Sequence, residues 1–148
     1  MDVREAEQLF QYHVHFALNY KREGKEIPTT FILAMPDGAL MVMPPSPDMD
    51  KDTTIALVKH VAKSMGAQYV LHLGECWMAM QAESNETPVS ERPDRIEALM
   101  VSIDGPGLSK VTIISIQPDG SLGEPMNFDT FSGRMANLSN QASTPLEC

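Results

Sequence analysis

Residues 67–80, Ala67-Gln68-Tyr69-Val70-Leu71-His72-Leu73-Gly74-Glu75-Cys76-Trp77-Met78-Ala79-Met80, form the longest apolar run of the chain and hold its only tryptophan. In an extended chain, alternate side chains point to opposite faces. Tyr69, Leu71, Leu73, Glu75, Trp77 and Ala79 then share one face, and Val70, His72, Gly74, Cys76, Met78 and Met80 share the other. Both faces are mainly apolar, so the run reads as a central strand of a sheet covered on both sides. It is long for one straight strand, since strands usually hold ~3–10 residues. A glycine inside a strand often marks a bulge, and Gly74-Glu75 is the expected bend.

The segments on either side complete the pattern. Asp50–Met65 has helical period, with Thr54, Ile55, Val58, Val61, Ala62 and Met65 on one stripe and Gly66 as its left-handed stop. Before it, Thr29–Met35 and Ala39–Met43 read as strands joined by the turn Pro36-Asp37-Gly38. The first helix is expected over Asp2–Glu23, with Ala6, Leu9, Phe10, His13, Phe16, Ala17 and Tyr20 as its apolar stripe and Asp2 as its cap. After the central run, residues 83–94 read as a long polar loop with two prolines. Strands follow at Arg95–Ile103 and Ser109–Gln117 around the turn Asp104-Gly105-Pro106-Gly107. Asp129 is placed to cap a short last helix with Phe131, Met135 and Leu138. The expected fold is α+β, a five-stranded, mostly antiparallel sheet with helices on both faces, in the order α-β-β-α-β-β-β-(α). Residues 1–138 form one domain and 139–148 a flexible tail. Across the loop, the expected register sets Gln81 opposite Arg95, Ala79 opposite Glu97 and Trp77 opposite Leu99, with Arg95 near the indole.

Composition narrows function more than it identifies one. With 148 residues, 43% hydrophobic and 21% charged, the chain is globular and long enough for a real core. Its formal net charge of −9 argues against nucleic acid and anionic membranes as partners, and favours a protein partner with a basic surface. The polar N-terminal stretch is not a signal peptide, and no apolar run reaches ~18 residues, so the expected compartment is the cytoplasm.

No catalytic motif emerges. There is no Cys-x-x-Cys, His-x-x-x-His, Gly-x-Ser-x-Gly or phosphate-cradling glycine loop. His72 and Cys76 share a face but lie ~13 Å apart at ~3.3 Å per residue, too far for direct pairing. Cys76 reads as a core hydrophobe that should resist thiol reagents, and Cys148 as accessible. No catalytic residue, metal site or cofactor is assigned. Three groups of candidate binding residues remain. Trp77, Arg92 and Arg95 combine the residue types most enriched in recognition hot spots. Met41 and Met43 lie on a short strand before Pro44-Pro45, among 11 methionines that suit an adaptable surface. His13, His72 and Glu75 are polar groups in apolar surroundings and the expected lining of a pocket between sheet and helix. Glu75 is expected at the sheet rim.

The element order from Asp2 to Leu138 resembles the roadblock, longin and profilin-like folds, which implies a sheet flanked by helices but no catalytic motif. The segment Trp77, then Glu91-Arg92-Pro93-Asp94-Arg95-Ile96-Glu97, is similar to small uncharacterised bacterial and phage-borne proteins, which implies a mobile-element setting. Together these give the expected function: a non-enzymatic interaction or regulatory module acting as a homodimer. An acidic inhibitor of a host nucleic-acid-binding protein is one specific form of it. The alternatives are a small-ligand sensor using the His13 and His72 pocket, and an enzyme whose residues meet only in the fold.

Overall fold

The computed structural model describes residues 1–44, 48–78 and 95–129. Helix α1 (Val3–Arg22) starts where Asp2 accepts a hydrogen bond from the Glu5 N–H at 2.8 Å, and ends on Lys21 and Arg22, whose charges suit its negative terminus. Ala6, Phe10, His13, Val14, Ala17 and Leu18 are its buried residues. The stripe is therefore rotated from the expected one. Phe16 lies about 120° around the helix from Phe10 at ~3.6 residues per turn. It stays outside, and Val14 and Leu18 pack inward. The small side chains of Ala6 and Ala17, both fully buried, let the helix settle along that line.

Strands β1 (Thr30–Ala34) and β2 (Leu40–Met43) form a hairpin. Helix α2 (Lys51–Met65) follows, capped by Asp50 and stopped by Gly66 at φ 71°. Strand β3 (Tyr69–Met78) is the apolar run, and β4 (Ile96–Gly105) and β5 (Leu108–Ser115) complete a meander. Among the described residues the sheet holds six strands rather than five, in the order β2-β1-β3-β4-β5-β6, each antiparallel to its neighbours. The added strand β6 (Met126–Phe128) pairs with Val111–Ile113. Three residues are too few for periodicity to reveal. The last helix expected beyond Asp129, the tail from 139 and the loop 83–94 lie outside the described residues.

The two faces of β3 separate as its alternation predicts. Tyr69, Leu71 and Leu73 join the cluster under α1, with Phe10, Leu99 and Ile103. Val70 and Met78 join the cluster under α2, with Phe31, Leu33 and Met100. Two local expectations fail. Gly74 and Glu75 pair one-to-one with Met100 and Leu99, so the β3–β4 ladder has no bulge there. Trp77 faces Glu97, not Leu99, so the register is shifted by two residues. An even shift keeps every side chain on its expected face, which is why the core prediction survives it.

Pairing of β3 with β1 stops at Thr30 opposite Leu73. From Gly74 onward the β1 side of β3 has no ladder partner among the described strands. Beside that gap stands the N-terminal end of α2.

Candidate functional site

The predicted pocket residues divide between two concavities on opposite faces of the sheet. His13 belongs to the α1 side. Its Nδ1 lies 2.9 Å from the Leu9 carbonyl, which can only accept, so this nitrogen carries a hydrogen. The ring borders a groove of about 370 Å³ with Tyr12, Phe16, Ile27, Ile32 and Val42. Tyr12 meets His13 edge-on at 5.1 Å, and Phe16 stacks on Tyr20 at 5.6 Å.

The outer rim of this groove is apolar and open. Tyr12 is 65% exposed, Phe16 48% and Val42 60%, and Leu40 is exposed beside them. Leu40 and Val42 point to the α1 side of β2, whereas Met41 and Met43 are half-buried against the α2-side cluster. The sequence signals for this surface are two. Gln8–Tyr20 contains no Asp, Glu, Lys or Arg, and β2 reads Leu-Met-Val-Met without a charge.

His72 lies on the other face. It is 2% exposed, and among the described residues neither ring nitrogen has a hydrogen-bond partner. Its ring sits 5.0 Å from that of Phe31. Burial, with the Lys51 ammonium acting in the same direction, pushes its pKa down to about 3. Around it a cleft of about 270 Å³ is bordered by Thr29, Met49, Lys51, Thr54 and Cys76. Cys76 is half-buried, not sealed in the core, and Cys148 lies outside the described residues.

Glu75 contributes to the cleft wall, but its carboxylate is committed elsewhere. It accepts from Lys21 Nζ at 3.0 Å and from the Ile27 N–H at 2.8 Å. Its side chain is 14% exposed, so the expectation of a solvated rim carboxylate is corrected: two donors hold it in a partly buried position. It ties α1 and the chain entering β1 to β3.

Trp77 and Arg95 meet as expected from the sequence, with the guanidinium carbon 4.2 Å from the ring centroid. Trp77 is 41% exposed, so solvent weakens the attraction. Arg92 lies outside the described residues. Replacing Arg95 by Ala should cost about 0.5–1 kcal/mol, a fall in Tm of a few degrees at most. Thermal unfolding of the variant checks this, and an unchanged Tm would leave the contact without a structural role.

Among the described residues, no three His, Cys, Asp or Glu side chains are placed to hold a metal ion, and no helix is long and apolar enough to cross a membrane. No family model, curated protein or solved structure matches the chain.

Proposed function

We propose that the protein is a non-enzymatic interaction module that works as a homodimer through α1 and β2. The observation that carries this reading is the uncharged surface formed by Tyr12, Phe16, Leu40 and Val42 beside β2, the edge strand of the sheet among the described residues. Single exposed apolar residues are ordinary, but contiguous ones mark interaction surfaces. Interface cores are depleted of charge and enriched in aromatic residues. An edge strand is usually blunted by Lys, Pro or a bulge, and β2 carries none of these within Leu40–Met43.

A second copy satisfies this edge better than an unrelated chain does. An antiparallel pairing of β2 with its own copy is compatible with a twofold axis, and the same residues then face each other. With the axis beside Met41, Leu40 of each copy would face Val42 of the other, and Tyr12 and Phe16 would close over the seam. The remaining surface of a chain with net charge −9 is free for a partner with a basic face.

Sedimentation or light scattering from micromolar to millimolar concentration should give the dimer mass. Val42→Lys adds an edge charge at an exposed position and should give a monomer with unchanged circular dichroism. A monomer mass for the parent protein at every concentration, or a Val42→Lys protein as dimeric as the parent, would refute the proposal.

A further inference from the structure

The cleft on the α2 face is independent of that surface and has a different chemistry. It exists because β1 begins only at Thr30, opposite Leu73, and because residue 74 has no side chain. A Cβ on Gly74 would lie 3.3 Å from His72 Nε2 and 3.3 Å from Thr29 Oγ1, so any other residue would crowd this part of the wall.

His72 is the feature that calls for a ligand. A neutral imidazole carries one N–H donor and one lone-pair acceptor. Here both nitrogens are buried and find no partner among the described residues. Buried polar groups in native proteins are nearly always satisfied, and an orphan points to an occupant of the site. The His72 ring lines the cleft together with Thr29, Lys51 and Thr54.

The rest of the lining sets the class of ligand. Lys51, exposed at the first turn of α2, supplies one positive charge. Thr54 Oγ1 donates to the Asp50 carbonyl at 2.9 Å, which leaves its oxygen lone pairs. Phe31 and Met49 are apolar. Asp50 and Asp52 flank Lys51 in sequence, and their charges disfavour a doubly charged anion. We propose that the cleft binds a small monocarboxylate, its carboxylate between Lys51 and the His72 ring and its aliphatic body against Phe31 and Met49. At about 270 Å³ the space lies just below the usual range for small-molecule pockets, which fits a ligand of this size.

Butyrate is the probe. The ring nitrogens of the full-length, 15N-labelled protein are followed by long-range proton–nitrogen NMR while butyrate, butyramide or inorganic phosphate is added. The His72 signals are those lost in His72→Gln or, if that variant does not fold, those showing a proton–proton contact to Phe31. Butyrate should move them saturably in the ~millimolar range. Butyramide, which lacks the charge, should bind about tenfold more weakly, and so should butyrate to Lys51→Ala, whose exposed site leaves the fold intact. Unmoved His72 signals would overturn the proposal. So would equal binding of butyramide, equal binding by Lys51→Ala, or tighter binding of phosphate. The mass measurements on β2 variants are unaffected by any of these outcomes.

Discussion

Gly105→Ala should destabilise the protein by about 3 kcal/mol or more, at the upper end of what overpacking a core costs. A Cβ at this position would lie 2.3 Å from Tyr69 Cδ1 and 2.5 Å from the Gln68 carbonyl oxygen. The Tyr69 ring covers Gly105 from the neighbouring strand, an arrangement in which an aromatic side chain shields a strand glycine. It cannot swing away cheaply. Tyr69 is fully buried, and its hydroxyl donates to the Pro106 carbonyl at 2.7 Å. For a domain of this size the loss corresponds to a Tm fall of roughly 10 °C. Denaturant titration measures it directly. In a Tyr69→Ala background, itself destabilised by loss of a buried ring, adding Gly105→Ala should cost less than it does in the parent, because the ring is one of the two groups that the Cβ would strike. A Gly105→Ala protein with parental stability would mean that β3 and β4 separate freely at this end.

The second large effect is acid sensitivity from His72. An unfolded chain takes up a proton on this residue near pH 6.5, whereas in the fold it does so only near pH 3. Between those values the unfolded state binds more protons, so stability falls as pH falls. Above pH 6.5 both states are neutral at this residue and its pH dependence vanishes. At about 1.4 kcal/mol per pH unit, the full interval amounts to about 5 kcal/mol, a large share of the 5–15 kcal/mol typical of a domain. The groups around the ring do not relieve this. Lys51 opposes protonation, and the Glu75 carboxylate is turned to Lys21 and Ile27. Urea unfolding at pH 7.5, 5.5 and 4 should show the decline, and His72→Gln should flatten it relative to the parent. Carboxylates titrate in the lower part of this range, so the difference between the two proteins is the decisive quantity. Equal slopes for both would show that His72 is protonated at little cost.

Much of the architecture is legible because it is local. Asp2 and Gly66 mark helix ends by short-range hydrogen bonds and backbone preference, and the structure uses both as expected, while Asp50, expected inside the second helix, is its cap. The double-sided burial of β3 follows from alternation alone. What escaped the sequence is non-local. The rotation of α1 depends on the small residues that let it approach the sheet, and β6 exists only because β5 offers an edge. The pairing of β3 with β4 is not fixed by the number of residues between them, so alternation alone leaves the register open. Among the candidate site residues, the Trp77–Arg95 contact is readable because an even shift preserves faces. The separation of His13 from His72 is not, because an expectation of helices on both faces does not say which face α1 and α2 each cover.

The double-sided burial of β3 has one more consequence. In a sheet with one wet face, a one-residue slip exposes the apolar set and is strongly disfavoured. Slide β3 by one residue here, and one greasy surface merely replaces another. Hydropathy therefore carries little information about alignment in this strand. That information resides in the few positions that break the apolar text: the absent side chain at Gly74 beside His72, the carboxylate of Glu75 meeting Lys21 and Ile27, and Gly105 beneath Tyr69. Exchanging one aliphatic residue of the core for another of similar volume alters how firmly the protein is folded. Changing one of these positions also removes part of what holds β3 in its alignment, so its effect reaches beyond the stability that it costs.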